Sequence, residues 1–134
     1  MPAVIHVIRG RDMLQVSLNG IFDPVVSDRA FQDIGREAPS PPDYNILLDL
    51  RLARWRMSEV ESFQLAERLS TVPELLQDRI AILMTPGPEV IQAEFLALCA
   101  CNRGLTVEVF GEFEKAVRWF FEAGIAPPQL PAAG

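Results

Sequence analysis

The chain has 134 residues, with 18 acidic against 12 basic side chains, a net charge of −6 and a pI of about 4.7. At 49% hydrophobic and 22% charged residues it has globular proportions and is long enough for one domain with a real core. The acidic balance argues against nucleic acid or an anionic membrane as a partner, and basic charge comes almost wholly from arginine, with Lys115 the only lysine.

The N-terminal Met1-Pro2-Ala3-Val4-Ile5-His6 has no basic segment leading into a long apolar stretch, so no signal peptide is expected. Apolar runs such as Ile80-Ala81-Ile82-Leu83-Met84 are far too short to span a bilayer. Cys99 and Cys101 lie two apart in a helical pattern, point in different directions and cannot be bridged to each other. Buried free thiols in a reducing cytoplasm are the expectation.

In chain order, residues 4–8 form a β-branched run, Arg9-Gly10-Arg11-Asp12 a turn, and residues 13–18 an alternating strand, together an antiparallel hairpin. Asn19-Gly20 punctuates the second strand. Asp23-Pro24 supplies an N-cap followed by proline at the first helical position, and the helix runs to Glu37 with Val26, Ala30 and Ile34 on one face. After the turn-rich Ala38-Pro39-Ser40-Pro41-Pro42-Asp43 comes Asn45-Ile46-Leu47-Leu48-Asp49-Leu50, apolar on both alternating faces. Such a run reads as an inner strand covered on both sides. The segment from Arg51 to Met57 is expected to be a loop at the carboxyl edge of the sheet, where open α/β folds place their sites.

Ser58-Glu59-Val60-Glu61 is a capping box opening the second helix, with Val60, Phe63, Ala66 and Leu69 as its inward stripe. Pro73 interrupts it, and residues 74–77 add a short turn. Residues 79–84 are the next buried strand, and Thr85-Pro86-Gly87-Pro88 leads into a third helix with Ile91, Phe95 and Leu98 toward the core. Asn102-Arg103-Gly104 stops it, with Gly104 as a left-handed cap. Residues 105–110 form the last strand and 112–123 the last helix, with Phe113, Ala116, Val117 and Phe120 inward. The division is one domain over 1–124 and a Pro/Ala-rich tail over 125–134. The expectation is an α/β fold in the order β-β-α-β-α-β-α-β-α, with a mixed, mostly parallel sheet of about five strands and four helices.

This order resembles the STAS domain, the fold of bacterial anti-sigma-factor antagonists, and in particular the STAS-like proteins grouped with CRAL-TRIO lipid-binding domains. Three stretches carry the likeness: Ile46-Leu47-Leu48-Asp49-Leu50-Arg51, Arg79-Ile80-Ala81-Ile82-Leu83, and Val107-Glu108-Val109-Phe110 leading through Ala116 to Trp119-Phe120. The resemblance implies a phosphorylated serine at the start of the second helix, where Ser58 falls within about one residue. The Asp-Ser-Ser-Gly type motif around that serine is not kept here.

Candidate sites are few. His6 is the only histidine, and one histidine with two badly spaced cysteines makes neither a triad nor a zinc site. No Walker loop or Rossmann glycine pattern is present. No metal, cofactor or catalytic residue is therefore assigned, and the chain reads as a non-enzyme. Asp49 is either a ligand or phosphate-accepting carboxylate or an acid that orients the following segment through Arg51 or Arg54. Arg51, Arg54, Trp55 and Arg56, ahead of Ser58 at a helix start, suit an anion or a protein hot spot, or else form a solvated face with Trp55 folded inward. The expected function is regulatory binding of a protein partner through residues 51–58, in the cytoplasm. The rival is a small apolar or anionic ligand held between the helices and the sheet. Trp119-Phe120-Phe121 cannot all turn inward, which points to a homodimer through an exposed aromatic.

Overall fold

The computed structural model describes residues 4–9, 13–37, 45–72, 75 and 79–125. The strands are β1 (Val4–Arg9), β2 (Met13–Phe22), β3 (Asn45–Trp55), β4 (Arg79–Leu83) and β5 (Thr106–Phe110). The helices are α1 (Pro24–Glu37), α2 (Glu59–Leu69), α3 (Glu89–Cys101) and α4 (Phe113–Ile125). The sheet runs β1-β2-β3-β4-β5, with β1 antiparallel to β2 and the other four strands parallel. Ile46, Leu47 and Leu48 are fully buried on both faces of β3, which is why this short apolar run takes the centre. The expected turns at 9–12, 38–43 and 74–77, and the tail, fall wholly or mostly outside the described residues.

The two faces of the sheet are covered unequally. Leu14, Val16, Ile46, Leu48, Ile80 and Ile82 pack under α1, α2 and α3 in one large core. On the other face, among the described residues, Leu47, Ala81 and Leu83 cluster with Ala116 and Phe120 of α4, and Met13, Phe110 and Trp119 are partly buried against them.

Several helix signals in the sequence correspond to observed contacts. Asp23 caps α1 by accepting from the Val26 amide at 2.9 Å, and Val26, Ala30 and Ile34 are its buried face. Gly104, at φ 96°, ends α3 in the left-handed region, and the Leu105 amide reaches back to the Ala100 carbonyl at 3.1 Å.

Other expectations are corrected. The inward face of α2 is Ser62, Leu65, Ala66 and Leu69, leaving Val60 and Phe63 exposed. α3 buries Ala93, Leu96, Ala97 and Ala100, while Ile91 is 71% exposed and Leu98 also faces outward. This helix is apolar on most sides, so periodicity does not choose its face. The small-residue side wins because it lets α3 approach its neighbours closely. Phe113 stands partly outside, and α4 is anchored by Ala116 and Phe120 instead. Both cysteines are free as expected, but Cys101 is exposed and Cys99 half-buried.

The largest correction concerns residues 51–55, which are strand rather than loop. β2 and β3 run on past the end of β4, paired from Asn19↔Leu52 to Phe22↔Trp55. The register shifts between Ser17↔Asp49 and Asn19↔Leu52, so β3 carries one extra residue, a bulge at 50–51. Gly20, at φ 106°, takes a conformation that an L side chain resists, and this allows β2 to follow the bend.

Candidate functional site

The bulge reverses the facing of the β3 side chains after it, while β2 keeps its alternation. Ala53, Trp55 and Phe22 turn toward the helix-covered core, and the alternate positions Asn19, Ile21, Leu52 and Arg54 occupy the bare face of the projecting β2–β3 arm. Trp55 is only 3% exposed and stacks on Phe22 with ring centroids 5.3 Å apart. It is therefore a core anchor and offers no surface to a partner. Its indole Nε1–H is buried without an acceptor among the described residues, a defect that costs about 1–3 kcal/mol and is offset by the area and aromatic contact the ring contributes.

Asp49 and Arg51 form one unit. Arg51 donates from Nε to Oδ1 at 3.0 Å, from Nη2 to Oδ2 at 2.8 Å, and from its own amide to Oδ1 at 3.1 Å. Partial burial pushes the Asp49 pKa upward, but the hydrogen bonds and charge of Arg51 outweigh it and hold the carboxyl below its ordinary range. Asp49 thus orients the segment after it, through Arg51 and not Arg54.

Arg54 pairs with Glu89, at the first position of α3, through Nε to Oε2 at 3.3 Å. Glu89 Oε1 also accepts from the Trp55 amide at 3.1 Å. One carboxylate therefore ties the end of β3 to the start of α3. Arg56 is fixed only by its backbone, donating to the Phe22 carbonyl at 2.9 Å, and its guanidinium has no partner among the described residues. Ser58 caps α2: its Oγ accepts from the Glu61 amide at 3.1 Å, and Glu61 Oε1 accepts from the Ser58 amide at 2.9 Å.

At the base of the arm, where β4 stops, Ser17, Asn19, Asp49, Arg51, Leu52 and Thr85 line an open cleft of about 370 Å³. Thr85 donates from Oγ1 to the Arg51 carbonyl at 3.3 Å, closing the end of β4 against β3. A second groove of about 370 Å³ lies between α1 and α2, lined by Phe31 of α1 with Leu65 and Leu69 of α2.

The structure brings Asp49, Arg51, Arg54, Arg56 and Ser58 to one end of the sheet and removes Trp55 into the core. Sequence reasoning missed Glu89, Ile21, Ser17 and Asn19. Glu89 could have been found from the topology, because parallel neighbours bring their carboxyl-end segments together. Ile21 could not, since it emerges only once the bulge and the full length of β2 are known. His6 pairs with Ser17 across the β1–β2 edge. Among the described residues, no group of three or more His, Cys, Asp or Glu could hold a metal ion, and no helix is long and apolar enough to cross a membrane.

No protein-family model matches the chain, and no curated protein matches it. Among solved structures, an uncharacterised protein of the DUF3478 family with a SpoIIAA-like fold, from Shewanella loihica PV-4, is similar with a TM-score of 0.54 at 14% identity. The match covers 88% of this chain and 93% of that one. The fold is therefore SpoIIAA-like, that is, STAS-like.

Proposed function

We propose that this STAS-like fold serves as a non-enzymatic regulatory module that binds a protein partner through the bare face of the β2–β3 arm and the start of α2. One observation supports this above others. The arm carries exposed apolar side chains, Leu52 at 74% and Ile21 at 41%, together with Arg54 and Arg56, whose guanidinium has no partner among the described residues. An exposed aliphatic pair rimmed by arginine fits the make-up of transient interfaces, where a few anchors dominate and charges steer approach. The partner surface should accordingly be apolar with an acidic rim. Ser58 stands at the edge of this surface, and a phosphate there would add about −2 charge beside Arg56 and invert the local sign.

A photo-crosslinking residue at Leu52, compared with one at exposed Glu108 on β5, tests the reading in source cells. A discrete protein adduct from position 52, absent from position 108 and lost in an Arg54→Glu/Arg56→Glu variant, is expected. Identical adducts from both positions would refute it. The apolar groove between α1 and α2 supports a second reading, a binder of a small apolar ligand.

A further inference from the structure

We propose that the cleft at the base of the arm is a binding site for a free, neutral polyol the size of one monosaccharide ring. The site is built by three strands: Ser17 and Asn19 from β2, Asp49, Arg51 and Leu52 from the bulged β3, and Thr85 just beyond β4. Its volume of about 370 Å³ is at the small end for ligand pockets and accommodates one ring.

The charge arrangement selects the ligand class. Arg51 spends Nε and Nη2 on Asp49, and the two groups together are neutral. An anion placed against the outer edge of the guanidinium also faces the carboxylate behind it. Because that carboxylate lies roughly twice as far from the anion as the guanidinium does, it takes back about half of the attraction, which leaves the pair a weak anion site. The protein's overall charge of −6 adds nothing for an anion. An apolar ligand fares worse, because it would strip water from the Asp49–Arg51 pair without replacing its hydrogen bonds.

Adjacent hydroxyls suit what remains. Arg51 keeps the Nη1 donors, and Asp49 Oδ2 accepts only one hydrogen bond, so a donor edge and an acceptor site lie side by side. The Ser17 hydroxyl and the Asn19 carboxamide have no hydrogen-bond partner among the described residues, and each can both donate and accept. Leu52, largely exposed, supplies an apolar wall for the C–H face of a ring. A vicinal diol, with two adjacent groups that each donate and accept, matches this set in polarity, whereas a single hydroxyl uses only half of it.

The test is titration of the ¹⁵N-labelled full chain with glucose, myo-inositol and sodium phosphate, each followed by amide shifts. Saturable shifts with one of the two polyols, centred on Ser17, Asn19, Arg51, Leu52 and Thr85, are expected, with none from phosphate. Ser17→Ala/Asn19→Ala removes two hydrogen bonds and should weaken binding about ten-fold or more. Because neither side chain has a partner among the described residues, the variant spectrum should otherwise keep its dispersion. If the double variant loses it, Asn19→Ala alone, at an exposed position, carries the same comparison. Absence of saturation by both polyols, saturation of these amides by phosphate, or unchanged affinity in the variant each overturns the proposal.

Discussion

At the scale of single residues, the Ser58 hydroxyl and the Glu61 carboxylate each satisfy a backbone amide at the start of α2. The Ser58–Glu61 box spans three residues and is written in their spacing; the Arg54–Glu89 tie spans 35 and depends on strand order. Ser58→Ala should lower stability by about 1 kcal/mol, read from the denaturation midpoint, whereas Ser58→Asp, which can still cap, should nearly preserve it. If alanine and aspartate behave alike, Ser58 is not acting as a cap. Asp49 has a pH signature. Its pKa is depressed in the folded state, so its contribution is complete at neutral pH, above the ordinary carboxylate value of about 4. It is lost as acid protonates the group below that value. Asp49→Asn should therefore destabilise the protein at pH 7 and flatten the acid limb of the stability profile, measured by urea denaturation across pH. A parallel acid limb in wild type and variant would exclude the Arg51 pairing as its source.

At the scale of elements, inner strands and helix starts were legible, but the faces of the apolar helices and the lengths of β2 and β3 were not. β3 continues because β2 remains alongside it, and that partnership lies beyond any local pattern. In α3 apolar residues occur on nearly every side, so burial is decided by which side fits closest, with alanines chosen over Ile91 and Leu98. Beside the bulge that shapes the arm, Gly20 holds a left-handed conformation, and the sequence marks it only as punctuation. Gly20→Ala forces an L side chain to φ 106° and should cost about 1–3 kcal/mol in denaturant midpoint. Gly87→Ala, where an added Cβ meets nothing within 4 Å, should stay within about 0.5 kcal/mol of wild type and serves as the control. Equal effects at the two glycines would remove backbone strain as the explanation.

At the scale of the molecule, the fold class and element order were readable because they follow from alternation of strand and helix, which the rules of connection then assemble. Self-association is an expectation of the same breadth. Phe120 is buried, Trp119 half-buried against Phe110, and Phe121 stands 66% exposed on α4. A homodimer through Phe121 should appear by light scattering at high micromolar concentration and revert to monomer in Phe121→Ser; a monomeric wild type at that concentration discards it. The unequal covering of the sheet also bears on how the chain is made. A ribosome delivers α1, α2 and α3 in step with the strands they cover, but Leu47, Ala81 and Leu83 must wait for Ala116 and Phe120 at the far end of the chain. Until α4 emerges, the nascent sheet presents an oily strip to other nascent chains, the kind of surface that drives aggregation and draws chaperones. Chains released after residue 111 should therefore collect in the insoluble fraction, with chaperone occupancy falling once α4 is added.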